Sequence, residues 1–331
     1  MARQRRSGAS VPLSKFLAED IPPPTPLLGS WLCREHLTMV YAPAGVGKTM
    51  FSLSAALAVA GGGMFLGWKA ATPQPVLYVD GEMSKWSLQD RLKMLSGAVK
   101  QFDREAAGDH FHLVARSLGG EVPDLASSKG REWLLEEARR VDAALVVLDN
   151  LSTLVTLEDE NAASSFDGVI QTLLTLRSDD RAAMLVHHAR KGGDSYRGSS
   201  KLEGPLDCVV SLRHSSGRPS INGARFDLSW TKVRELRDGT MQPLRAELRD
   251  VGGGKRAWIV NATNEDRVSE MIEYLKSGQY GTQGELAEAL GVAGGTLSGW
   301  KKEAIEQGRI TSRQWKQCLK DAGEGTQGGD F

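Results

Sequence analysis

Along the first two thirds of the chain, short uninterrupted apolar runs alternate with segments in which apolar residues recur every three or four positions. The runs are "LTMVYA", "PVLYVD", "FHLVA", "ALVVLD" and "AAMLVHH". Brief apolar stretches bounded by turn-forming residues are what strands covered on both faces require, so these runs predict a buried parallel sheet. The helical period is clearest after the fourth run, where Phe166, Val169, Ile170, Leu173 and Leu174 fall on one face. Strand alternating with helix means an α/β fold. From residue 206 the pattern changes to "DCVVSLRH", "ARFDLSWTKVREL", "PLRAELRD" and "RAWIV", separated by Gly, Pro and Asp. These segments predict antiparallel strands that extend the same sheet.

At both ends this pattern lapses. Residues 1–25 join Arg3, Arg5 and Arg6 to "IPPPTP", which predicts a flexible basic arm and a stiff extended linker before a core at 26–260. Residues 261–320 predict three short helices. Within them Leu286 and Leu290 share a face, Gly291 permits a turn, Val292 plugs it, and Leu297 and Trp300 line the next helix, the spacing of a helix-turn-helix. "EAIEQGRI" then resembles the approach to a winged-helix strand, and 321–331 predicts a disordered tail.

Charge changes the picture little, because 41 Lys+Arg balance 41 Asp+Glu over 331 residues and leave no global field. Contact with nucleic acid or membrane must therefore come from local patches. Cys33, Cys208 and Cys318 stand far apart without metal-ligand spacing, which fits a reduced, cytoplasmic setting. The uncharged run Met50–Trp68 is long enough to suggest a membrane span. Ser52, Ser54 and the break at Gly61, Gly62 and Gly63 instead predict a buried helix followed by a turn.

The chemistry starts at "YAPAGVGKTMF", residues 41–51, where a strand, a Gly-rich turn, Lys-Thr and a helix occur in order. Such a P-loop cradles phosphates on backbone N–H groups and the helix N-terminus. Its nucleotide-binding run is Ala44, Gly45, Val46, Gly47, Lys48, Thr49 and Met50, with Lys48 reaching the β/γ-phosphates of ATP and the Thr49 hydroxyl on Mg²⁺. Ala42 holds the position usually given to the first glycine. It adds one methyl at the strand exit, and the grip should survive. Asp149, ending an apolar strand, is the expected magnesium-side acid. Asp80 and Glu82 end another such strand in "PVLYVDGEMS", and Glu82 is the preferred base for the attacking water.

Taken together, the P-loop, "GEMS", "VVLDN", "HHARK" and "RGSSKLEGPLD" resemble the RecA-type ATPase core across residues 26–250. Within that group the chain is similar to hexameric replicative helicases, most closely the plasmid RepA helicases, which also carry a stretch like "EDENAAS" at Glu158 to Ser164. The resemblance implies Glu82 as general base, Asp149 as magnesium-side acid and His188 as γ-phosphate sensor. It also implies a cation supplied by a neighbouring subunit: Lys232 and Arg234, at i and i+2 on one strand face, or Arg213. Where the plasmid relatives place an arginine after "RGSS", this chain has Asp207.

Beyond His188 lies a Gly-rich segment with Arg190, Lys191, Arg197 and Tyr196, suited to sequence-independent contact with single-stranded DNA. Thr296, Ser298 and Lys302 on the second helix of the helix-turn-helix, followed by Arg309, Arg313 and Lys316, are candidates for duplex contact. Residues 261–331 hold eight Lys/Arg against eleven Asp/Glu, a net of −3, so protein docking is the alternative role for that segment. The resemblance, together with these features, implies an ATP-driven DNA helicase or translocase of a plasmid, phage or other mobile element, assembled as a homo-oligomer, a hexameric ring by resemblance, with other replication proteins as possible partners. A DNA-binding regulator or loader that uses ATP as an assembly switch stays open, and a small-molecule P-loop kinase is the third reading.

Overall fold

The computed structural model describes residues 10–156, 166–190, 196, 200–215, 224–234, 241–262 and 264–325. It opens with α1 (Leu13–Leu17), β1 (Pro26–Leu28), β2 (Leu32–Cys33), β3 (Leu37–Ala42), α2 (Lys48–Ala60), β4 (Met64–Phe65), β5 (Trp68–Lys69) and β6 (Val76–Asp80). Next come α3 (Lys85–Leu95), α4 (Arg104–His110), β7 (Phe111–Ala115), α5 (Ser128–Arg140), β8 (Leu145–Asp149), α6 (Leu151–Leu154), α7 (Asp167–Ser178) and β9 (Ala182–His188). The chain closes with β10 (Cys208–His214), β11 (Arg225–Val233), β12 (Leu244–Gly252), β13 (Lys255–Ala262), α8 (Asn264–Lys276), α9 (Gln283–Ala289), α10 (Gly294–Glu306) and α11 (Ser312–Gly325).

Nine strands form one sheet in the order β13-β12-β11-β10-β3-β9-β8-β6-β7. Strands β10, β3, β9, β8, β6 and β7 run parallel, while β11, β12 and β13 continue the sheet antiparallel. This is the expected α/β core, a mostly parallel sheet with its antiparallel extension. The apolar runs are continuous because both faces are covered, and the period of two sends alternate residues to different layers. Val40, Tyr78, Val147 and Met184 pack on the side of α2, whereas Met39, Val79, Val146 and Leu185 pack on the side of α5 and α7.

An aromatic cluster welds the antiparallel extension to the helix that follows the P-loop. Phe51 of α2 lies edge-on to Phe65, Trp68 and Phe226, at centroid separations of 5.2, 6.4 and 6.0 Å. From β13, Trp258 lies 5.4 Å from Phe65 and donates its Nε1–H to Ser54 Oγ at 3.1 Å. The Met50–Trp68 run is accordingly a buried helix, a glycine turn and two short strands. Among the described residues no helix is long and apolar enough to cross a membrane.

Several expectations need correction. The C-terminal segment has four helices, α8 to α11, with their own buried cluster of Val268, Met271, Leu275, Leu286, Leu297, Trp300 and Trp315. No winged-helix strand follows "EAIEQGRI", because Trp315, Cys318, Leu319 and Ala322 recur at helical spacing and turn the next segment into α11. That helix runs to Gly325, so part of the expected tail is helical, and 326–331 lie outside the described residues. In α7 the buried face also differs slightly, with Leu176 fully covered and Leu174 only partly so.

Trp315 is 1% exposed and carries the contact of α11 with its neighbours. Trp315→Ala should cost about 3–5 kcal/mol within this cluster. In calorimetry, melting of the C-terminal helices should separate from, and precede, that of the nucleotide-free sheet core.

Candidate nucleotide site

Parallel pairing brings the tips of four strands to one end of the sheet. Ala42 is level with His188, and Asp80 with Asp149, the latter pair being level with Val186. Gly45 and Gly47 turn the chain from β3 into α2 with φ of 79° and 116°, backbone that favours glycine. A side chain at Gly47 would also meet the Ala224 methyl at 2.5 Å, whereas Gly45 faces open space. Ala42 is fully buried in the core, so its methyl is absorbed there and does not obstruct the loop.

Beside this turn lies a cleft of about 290 Å³, lined by Ala44, Gly45, Gly47, Lys48, Thr49 and Met50. Asp80, Glu82, Met83, Arg91, Asp149, Asn150, His188 and Ala224 complete its wall. Val46 does not line it; its side chain is buried in the core beneath the loop. Lys48 Nζ donates to the carbonyl oxygens of Ala42 and Pro43, each at 3.3 Å, and lies 3.2 Å from His188 Nδ1. An ammonium only donates, so Nδ1 accepts and the imidazole proton sits on Nε2. Glu82 is exposed, and its Oε2 accepts from Asn150 Nδ2 at 2.5 Å.

The donor set fits a magnesium–nucleotide complex. Thr49 and Asp149 offer hard oxygen ligands beside the loop, and the Thr49 hydroxyl is hydrogen-bonded to Asp149. Among the described residues no three His, Cys, Asp or Glu side chains gather as a metal site. Mg²⁺ ordinarily takes one or two protein oxygens and completes its shell with phosphate and water, so two suffice. When bound, the ion would neutralise charge on the β- and γ-phosphates.

The family model for an AAA domain matches residues 3–194, which is more than half of the chain and includes every residue of the cleft except Ala224. The chain belongs to this AAA-domain family. It is a P-loop ATPase. A solved structure of a KaiC-like protein from the hyperthermophilic archaeon Pyrococcus horikoshii OT3 is similar at 16% identity and a TM-score of 0.47, covering 70% of this chain and 93% of that one.

In this AAA-domain protein, burial dominates the electrostatics of the cleft. It lowers the Lys48 pKa, against the pull of Asp149 and Glu82, and raises that of Asp149, against hydrogen bonds from Tyr78, Thr49 and Ser52. Asp80 Oδ1 accepts from the Glu82 and Met83 N–H groups at 3.1 and 2.7 Å, so it holds the turn that carries Glu82. Burial pushes the Asp80 carboxyl up to about 6.

The remaining candidates lie away from the cleft. Lys232 is paired through Val209 with Met39, near the start of β3, so Lys232 and Arg234 sit at the end of the sheet opposite the chain's own P-loop. Lys232 Nζ donates to Glu203 O at 2.6 Å, and Arg234 Nη2 to Gly204 O at 2.8 Å. Asp207, the departure from the plasmid pattern, anchors the start of β3. It accepts from Leu37 N at 2.9 Å and pairs with Arg177 and with Arg234 Nε at 3.5 Å. Arg213, one residue before the end of β10, is on the P-loop side, exposed and outside the cleft lining.

Arg190 is exposed just past β9, while Lys191, Arg197 and the stretch 158–164 lie outside the described residues. Tyr196 cannot serve as a base-stacking platform as expected. It is buried, pairs with Ala189, lies edge-on to Tyr41 at 5.9 Å and hydrogen-bonds Glu203 at 3.2 Å. Thr296, Ser298 and Lys302 are exposed on α10, although Ser298 Oγ bonds Gly294 O and Gln283 Nε2, and Lys302 faces Glu306 at 3.8 Å. Arg309, expected at phosphate, ties to Ser269 Oγ at 2.5 Å. Sequence reading missed Asn150, Tyr78 and Ser52. Their signals were an amide directly after Asp149 and hydroxyls within mostly apolar stretches.

The raised Asp80 value has a definite sign. Between the unfolded value near 3.8 and about 6, the folded protein binds the proton that the unfolded chain has lost, so stability falls as pH rises through that window. Asp80→Asn keeps an acceptor for both N–H groups and removes the buried charge. In the nucleotide- and metal-free protein it should be more stable than wild type at pH 8, by on the order of 1–3 kcal/mol. In denaturant titrations this gap should vanish by pH 4.

Proposed function

We propose that this ATPase is a DNA helicase or translocase of a plasmid, phage or other mobile element. It hydrolyses ATP between subunits of a homo-oligomeric, hexameric ring and grips single-stranded DNA through the segment after β9. The observation that carries this reading is the contact between Lys48 Nζ and His188 Nδ1, with Arg190 exposed two residues further on. A change at the γ-phosphate alters what Lys48 and His188 bond, and the strand tip passes that change to the cationic segment. DNA grip then rests on Arg190, Lys191 and Arg197 as backbone-tracking charges, without stacking by Tyr196.

Glu82, held by Asn150, directs the attacking water, and Lys48 with the P-loop amides holds the phosphates. Lys232 and Arg234 are too far along the sheet to serve their own cleft, which supports their action on a neighbour's site. A second reading is favoured by the α9–α10 pair, where a capping box of Thr282 and Glu285 starts α9 and Gly291, at φ 64°, turns the chain toward α10. In that reading the protein is a DNA-bound regulator or loader that uses ATP as an assembly switch, and it prefers particular duplex sequences while separating no strands.

Single-stranded DNA should stimulate ATP hydrolysis by the assembled protein, and a forked duplex should be unwound. If turnover ignores DNA and the fork stays intact, the helicase reading fails and a duplex-sequence preference would support the second. Glu82→Gln and Arg234→Ala subunits should each be inactive alone, a trans cation contributing on the order of 10³ or more. Mixing them should restore part of the hydrolysis, and a silent mixture would remove the shared-site assignment.

A further inference from the structure

Asp149 is 2% exposed, and its Oδ2 is occupied by hydroxyls of the protein itself. The Tyr78 hydroxyl donates to it at 2.6 Å, and Ser52 Oγ lies 3.2 Å away. The two hydroxyl oxygens are 2.8 Å apart. Tyr78 and Ser52 are both fully buried, and the Tyr78 ring is fixed by stacking on Phe111 at 5.8 Å and 22°. With the Tyr78 proton directed to Asp149, the Ser52 proton can go to Tyr78 Oη, and a relay of this kind polarises the tyrosine and strengthens its donation. Ser52 is three residues beyond Thr49 on α2, with its Oγ 3.2 Å from the Thr49 carbonyl oxygen. Tyr78 is on β6, level with Val147 on β8. The two hydroxyls therefore reach one carboxylate oxygen from two different elements.

A buried carboxylate whose Oδ2 accepts from a tyrosine hydroxyl fixed in this way cannot rotate without breaking that bond. Asp149 also bonds the Thr49 hydroxyl and lines the cleft, and with Oδ2 engaged by Tyr78 it is Oδ1 that can serve a ligand there. We propose that Tyr78, supported by Ser52, is a positioning residue that fixes which oxygen of Asp149 meets the magnesium ion of the bound nucleotide. Its action is through Asp149, since Tyr78 is fully buried and lies outside the cleft lining. This proposal rests on the reading of the cleft as a magnesium–nucleotide site. Partners that orient a metal-binding carboxylate typically matter by 10- to 100-fold in metal affinity.

Tyr78→Phe in the full chain keeps the ring and its stacking and removes only the hydroxyl. Mn²⁺ serves as the probe, titrated by electron paramagnetic resonance against protein saturated with ADP. The variant should bind Mn²⁺ about 10- to 100-fold more weakly, while its affinity for ADP in excess chelator matches wild type. Its ATPase should need correspondingly more Mg²⁺ for half-saturation, with kcat largely recovered at saturating metal. Ser52→Ala should shift Mn²⁺ affinity in the same direction by a smaller factor, and it stands in if Tyr78→Phe does not fold. A folded variant whose Mn²⁺ affinity equals that of wild type overturns the positioning role alone. Wild-type protein that binds ADP but no additional Mn²⁺ overturns the site reading and this role with it.

Discussion

The site depends on one constraint, the parallel register of β3, β9, β8 and β6. Because these strands start and stop nearly together, the residues at their tips converge: Ala42 before the P-loop, His188, Asp149 and Asp80. A one-residue slip in any pair would send that strand's side chains to the opposite layer and withdraw its acid or imidazole from the cleft. The two apolar layers hold the register, since each strand contributes alternate residues to both. Packing thus does more for the chemistry than local loop structure does.

That constraint also explains why the cleft can afford buried charge. Lys48, Asp149 and Asp80 are largely withdrawn from water, and each shifts toward its neutral form through burial. Neighbours oppose that tendency at each position, the charges of Asp149 and Glu82 at Lys48 and hydrogen bonds at Asp149 and Asp80. The carbonyls of Ala42 and Pro43 receive Lys48, the hydroxyls of Tyr78 and Ser52 face Asp149, and two backbone N–H groups face Asp80. Such a site is set before ligand arrives, which spares reorganisation during the reaction.

Much of this was legible in the chain because the decisive features are contiguous. The P-loop is one unbroken string, and doubly covered strands announce themselves as apolar runs ending in acids or histidines. What escaped were contacts between distant positions, such as Asn150 with Glu82 and Tyr78 with Asp149, 68 and 71 residues apart. Tyr196 misled because glycine and charge surround it, and only the fold reveals its packing on Tyr41. Helix α11 was hidden for a related reason: its apolar stripe of Trp315, Cys318, Leu319 and Ala322 is diluted by polar and glycine neighbours.

The sharpest test of the cleft as a triphosphate grip is the affinity for MgATP measured by calorimetry, comparing wild type with Lys48→Ala at matched far-ultraviolet circular dichroism. Loss of a charge-assisted bond to phosphate should weaken binding by about 10- to 100-fold. Equal affinity in a folded variant would contradict the assignment of Lys48, and of the strand tips around it, to nucleotide binding.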